Sequence, residues 1–172
     1  MAEPSRFVLA YWLIPAAPAL DYFREIIGRL AARYGSPVFE PHLTLAVRDD
    51  ASPQAEERLA RLPAGAVELS TTGIAFSAQF TKTLFVRCAA SPLLLQLRAS
   101  LGAVEGEIFD PHLSLLYHQL ASDERARLAA ELEPPCLAIK FDASAAVRCR
   151  IPVVTAADVD AWEIVAIRRL VG

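Results

Sequence analysis

Two short stretches carry a histidine followed two places later by a hydroxyl residue: "PHLTL" at 41–45 and "PHLSL" at 111–115. In a β-strand, residues i and i+2 point to one face, so His42 and Thr44 share a side, as do His112 and Ser114, while the intervening leucines take the other. A lone histidine in an apolar strand is most simply a satisfied core side chain. The same pattern stated twice, using two of the three histidines, is not accounted for in that way. Two imidazoles and two hydroxyls facing one cleft suit phosphodiester hydrolysis. Histidine's reference pKa of about 6.5 leaves both forms accessible near neutral pH, so one ring can take a proton from water while the other protonates the departing oxygen. The hydroxyls can donate to the non-bridging phosphoryl oxygens as charge builds up. The third histidine, His118, has no repeat counterpart, because position 48 is arginine, and is read as structural.

Other chemistries fit these residues less well. Zinc takes three or four His, Cys or carboxylate ligands, whereas the i+2 partners are Thr and Ser, and Asp110 is matched across the repeat only by Glu40, one place out of step. A serine hydrolase of the nucleophile-elbow kind would need G-x-S-x-G, which is absent.

The histidines lie 70 residues apart, and that offset brings the flanking elements into step. "RFVLAYWLIP" (6–15) and "TLFVRCAA" (83–90) read as buried strands. Each precedes a helical pattern: Phe23, Ile26, Ile27, Leu30 and Tyr34 in one half, and Leu94, Leu97, Leu101 and Val104 after Ser91-Pro92 in the other. Each PHL motif is followed by a second helix, from Ser52 or Ser122, with acidic residues expected in its first turn. Strands return at Ala66–Phe76 and Cys136–Arg150, with Val67/Leu69 and Leu137/Ile139/Phe141 alternating. A last strand, Ala161–Leu170, stands outside the repeat. The pattern predicts an α+β, duplicated, two-lobed fold. Each lobe would be an antiparallel sheet with helices on its outer face, related by a pseudo-twofold axis, with the cleft between the lobes. Residues 1–172 are read as one such domain, with repeat halves near 6–76 and 83–150 and a closing strand at 161–170.

Composition bounds the partners. With 172 residues, 54% of them hydrophobic, the chain can bury a substantial core. A net charge of −3 gives no global field for a long polyanion, so a small anionic substrate fits better than a duplex. Cys88, Cys136 and Cys149 form no CxxC pair and read as small buried hydrophobes in a reducing compartment. The apolar run from Phe7 to Leu20 is shorter than the roughly 20 residues of a membrane span and contains Pro15 and Pro18. The repeat uses it as a strand rather than as a signal segment. A cytoplasmic monomer that meets no membrane is expected.

At its paired motifs the sequence resembles the 2H phosphoesterase superfamily, named for two H-x-[TS] motifs, and within it the plant and fungal type cyclic phosphodiesterases. The resemblance spans nearly the whole chain: "YWLIP", "FEPHLTLAV", "TLFVRC", "PHLSLLY" and "WEIVAIRRL". It implies a metal-independent, cofactor-free enzyme of RNA or tRNA metabolism that opens ADP-ribose 1″,2″-cyclic phosphate and nucleoside 2′,3′-cyclic phosphates to monophosphates. His42 and His112 would be the acid/base pair, with a lean toward His112 as base, and Thr44 and Ser114 the phosphate binders. Tyr117 would join the phosphate pocket and Trp12 would stand beside the substrate. From spacing alone, Tyr117 has the parity of the core leucines and reaches the cleft only if the strand bends or ends there, and Trp12 is equally a core tryptophan. Trp162 is read as core. The cysteines do not fall where similar plant enzymes place theirs, which puts redox control in doubt but not the chemistry.

Two other functions compete. A 2′-5′ RNA ligase or oligonucleotide phosphodiesterase of the same superfamily, acting on RNA ends, would need a groove tracking several phosphates, whereas the 17 basic residues are scattered and offset by 20 acidic ones. A non-catalytic binder of cyclic-phosphate ends would have less use for two proton-transfer groups.

Overall fold

The structure is a computed structural model that describes residues 4–49, 52–132 and 137–170. Cys136 and the start of the strand expected there lie outside the described residues. Along the chain run β1 (Arg6–Pro15), α1 (Ala19–Tyr34), β2 (Leu43–Arg48), α2 (Ser52–Ala60), β3 (Val67–Phe76), β4 (Leu84–Cys88), α3 (Pro92–Ser100), β5 (His112–Leu116), α4 (Ser122–Glu131), β6 (Ala138–Ile151), α5 (Ala156–Asp160) and β7 (Glu163–Arg169). A single 3-10 turn, Phe80–Lys82, precedes β4.

The strands form an antiparallel sheet in the order β1-β2-β5-β4-β3-β6-β7, and β6 also pairs along the length of β1, so six strands close on themselves and β7 lies on the outside of β6. The fold is α+β, as the repeat predicts. The two PHL strands meet at its centre through one pair, Leu43 opposite Leu113. The third strand of each repeat is exchanged: β3 pairs with β4 and β6 pairs with β1. The spatial halves, β2-β1-β6-β7 and β5-β4-β3 with the start of β6, therefore differ from the sequence halves.

β1 reads as an unbroken apolar run because both of its faces are covered. Leu9, Tyr11 and Leu13 enter the main core with the leucines of both PHL motifs, while Val8, Ala10 and Trp12 join Ala145, Val147 and Cys149 of β6 in a second apolar layer. The helices cover the main core. α1 buries Phe23, Ile26, Ile27, Leu30 and Ala31 and ends at Gly35, whose φ of 64° lies in the left-handed region that glycine adopts without a Cβ penalty. α1 packs on β5 and α3 on β2, so each helix supports the histidine strand of the other repeat. α3 begins as its sequence suggests, with the Ser91 hydroxyl accepting from the Leu94 amide and Pro92 in the first turn.

Three local expectations are corrected. α3 stops at Ser100 and Val104 is 66% exposed beyond it, because Gly102 takes a positive φ that the helix cannot continue through. Leu137 is 89% exposed and precedes β6, whose inward alternation starts at Ile139. The first turn of α2 holds no acidic residue, since Glu56 and Glu57 sit one turn further on, whereas α4 does begin with Asp123 and Glu124.

Candidate active site

β2 and β5 put Leu43, Leu45, Leu113 and Leu115 into the core and turn the alternate side chains to the opposite face. On that face lies a cavity of about 650 Å³ lined by His42, Thr44, His112 and Ser114 together with Trp12 and Tyr117. The six residues singled out from the sequence thus come to one place.

Both imidazoles are held alike. His42 Nδ1 lies 2.6 Å from the Glu40 carbonyl, and His112 Nδ1 lies 2.7 Å from the Asp110 carbonyl. A carbonyl can only accept, so in the neutral ring Nδ1 carries the proton and Nε2 is left as the basic nitrogen. The prolines at 41 and 111 separate each histidine from the residue whose carbonyl receives it, and the equivalence follows from the repeat.

The surroundings differ. His42 is 6% exposed, with its ring stacked on Trp12 at 3.7 Å and 12° and edge-on to Trp162 at 5.8 Å. Burial pulls its pKa down to about 4, partly opposed by the Glu40 carbonyl and reinforced by His112. His112 is half-buried and edge-on to Phe85 at 5.3 Å. Its pKa is also lowered, by burial first, with the Asp110 carbonyl pulling the other way and Lys82 adding to the fall. The Asp110 carboxylate is engaged by Lys82 at 2.6 Å and Arg87 at 3.2 Å, which holds it below the ordinary carboxylate range despite desolvation.

The hydroxyls also differ. The Thr44 hydroxyl has no hydrogen-bond partner among the described residues, whereas that of Ser114 donates to the Thr81 carbonyl at 2.8 Å. Tyr117 reaches the cavity because a one-residue register shift between Ser114 and Leu116 puts both Leu115 and Leu116 in the core and reverses the parity of the leucines. Its ring stacks on Phe39 at 3.9 Å, and burial pushes its phenol well above the usual range, offset in part by hydrogen bonding with Ser114. Trp12 sits next to a register shift between Tyr11 and Trp12, and its carbonyl accepts from the buried Ser144 hydroxyl at 2.9 Å.

Trp162 departs from its sequence reading as a core residue. It is partly buried, lines the cavity, and meets Trp12 at 5.3 Å and Tyr117 at 5.9 Å, both edge-on. No local pattern signals this, because Trp162 precedes β7 and is carried to the site by α5, a five-residue helix too short to show periodicity. Gln79, Phe80, Thr81 and Val153 were likewise missed as lining residues. His118 lies outside the lining, beside Tyr34 at 6.0 Å. Among the described residues, no group of three or more His, Cys, Asp or Glu is placed to hold a metal ion, and no helix is long and apolar enough to cross a membrane.

The chain shares its fold with solved structures of E. coli LigT and of TT0787 of Thermus thermophilus. E. coli LigT complexed with 3′-AMP is similar over 99% of this chain and 100% of that chain, at 19% identity and TM-score 0.56. E. coli LigT complexed with NADP+ covers the same shares at 17% identity and TM-score 0.57. TT0787 of Thermus thermophilus matches over 96% of this chain and 98% of that chain, at 19% identity and TM-score 0.59. No protein-family model and no curated protein matches the chain.

Proposed function

We propose that the protein is a metal-independent cyclic phosphodiesterase that opens ADP-ribose 1″,2″-cyclic phosphate or nucleoside 2′,3′-cyclic phosphates to monophosphates. The observation that carries this reading is the pair of like-held imidazoles, each with Nδ1 tied to a backbone carbonyl and both lining one cavity with Thr44 and Ser114. A water oxygen attacks phosphorus while Nε2 of one histidine takes its proton. The bond from phosphorus to one ring oxygen breaks, and that oxygen takes the proton held on Nε2 of the other histidine. The acid and base then return to their starting states by proton exchange with solvent. Thr44, Ser114 and Tyr117 hold the non-bridging oxygens, with Ser114 turning its proton from Thr81 to the phosphate, and Trp12 orients His42 while forming one wall. The resemblance leans to His112 as base, whereas the deeper burial of His42, which keeps it neutral in the free enzyme, favours His42. The product isomer shows which ring oxygen leaves and so how the substrate lies between them.

A 2′-5′ RNA ligase or oligonucleotide phosphodiesterase is the alternative, favoured by one feature. A groove of about 570 Å³ adjoins the cavity at Thr44 and His112 and carries Arg48, Lys82 and Arg98. Those cations are matched by Glu107 and Asp110, which weakens the groove as a track for phosphates. Cys88 and Cys149 are buried thiols, which suits a reducing cytoplasm.

The test is turnover of ADP-ribose 1″,2″-cyclic phosphate and the four nucleoside 2′,3′-cyclic phosphates in excess EDTA, with products identified by phosphorus NMR. Conversion to one monophosphate isomer at an undiminished rate is expected. Loss of activity in EDTA would point to a metal, and no turnover of any of the five would overturn the reading.

A further inference from the structure

The cavity that holds the histidines has no lysine, arginine, aspartate or glutamate among its described lining residues. None of the chain's lysines or arginines falls outside the described residues, so every basic side chain has a place elsewhere. Lys82 and Arg87, whose charges act on His112, are bound to the Asp110 carboxylate. Arg48 and Arg98 of the adjoining groove both engage Glu107. Arg148 alternates with the cavity-lining Cys149 along β6 and lies over the Phe7 ring at 3.8 Å, away from the cavity face. In place of cations, the wall built by β1 and β6 is apolar: Val8 and Ala10 from β1, Cys149 and Ile151 from β6, and Val153 and Val154 beyond it.

A phosphodiester carries one negative charge, which a single protonated imidazole matches. A second anionic group brought against this wall would lose hydration with no counter-charge to replace it. An uncharged nucleoside, with a flat apolar base face and a ribose, loses far less there. We infer that the site is selective by charge, taking substrates whose only anionic group is the reacting phosphodiester. These are nucleoside 2′,3′-cyclic phosphates with a free 5′-hydroxyl, with the base on the β1/β6 wall. Forms that carry further phosphates, ADP-ribose 1″,2″-cyclic phosphate and 5′-phosphorylated nucleotides included, are poor substrates. This rests on the cyclic phosphodiesterase reading and narrows it.

The test compares kcat/KM at low ionic strength for adenosine 2′,3′-cyclic phosphate, the same compound bearing a 5′-phosphate, and ADP-ribose 1″,2″-cyclic phosphate. Both charged compounds are expected to be at least about tenfold worse, the equivalent of one unmet interaction. The variant Val154→Arg places a cation at a rim position that is 56% exposed. It should narrow the gap about threefold or more, and added salt should remove that gain. Equal or faster turnover of the charged compounds, or a ratio unmoved by Val154→Arg, overturns charge selection while the hydrolase reading stands. No turnover of any of the three overturns the hydrolase reading, and this inference with it.

Discussion

His42 is held at Nδ1 by the Glu40 carbonyl, on its face by Trp12 and at its edge by Trp162. That enclosure lowers its proton affinity, and His112 is lowered as well. Since kcat/KM reports the ionisations of the free enzyme, its bell-shaped pH profile is expected to be centred below pH 6.5. Trp12→Leu uncovers the ring, so His42 should titrate closer to 6.5 and the acidic limb should move upward; a limb that stays in place would show that Trp12 does not set this affinity. Thr44 has its hydroxyl uncommitted, so Thr44→Val should lower kcat by about 10²-fold with little effect on stability, as for loss of one donor to a developing oxyanion. Steady-state kinetics beside a thermal melt separates the two effects. The pairing of His with Thr or Ser was legible because strand parity is a local property. Tyr117 was not, because its direction is set by the register shift in β5, which spacing along the chain does not show.

At the scale of elements, α5 sets the far side of the cavity. Thr155 and Asp158 form a reciprocal cap in which the Thr155 hydroxyl accepts from the Asp158 amide and the Asp158 carboxylate accepts from the Thr155 amide at 2.9 Å. The same carboxylate accepts from the Val154 amide, and Val159 anchors the helix beneath Phe39, Tyr117 and Trp162. Thr155→Ala is expected to cost about 1 kcal/mol. Hydrogen exchange should quicken across 153–162 and KM should rise more than kcat falls. Unchanged exchange there would mean that the cap does not hold this wall. The strands and longer helices were readable from periodicity and turn residues, as with β1, whose bounds match its apolar run. The exchange of β3 and β6 was not readable, because strand partners are chosen by packing between distant segments rather than by pattern within one. α5 was hidden by its length, and with it the route by which Trp162 reaches the site.

Across the whole molecule, β6 ties the halves together: residues 138–141 pair with β3, and residues 141–151 pair with β1. Two histidines from distant sequence are thereby fixed on one closed sheet, with Leu43 opposite Leu113 between them. Burying them makes stability depend on pH. Unfolded His42 takes up a proton below about pH 6.5, whereas in the folded protein it does so only near 4. Between those values the unfolded chain binds more protons, so stability is full above 6.5 and falls with acid, by on the order of 3 kcal/mol for this residue. Urea melts from pH 7 to 4 should show that fall, and His42→Gln should flatten it; parallel curves would contradict the assignment. The most direct test of the central claim is kcat/KM on a nucleoside 2′,3′-cyclic phosphate for wild type, His42→Ala, His112→Ala and the double variant. Each single variant should lose at least about 10²-fold, and the double should lose little more than the worse single, as for groups acting as one unit. A single variant that keeps activity within about tenfold of wild type would contradict the two-histidine account.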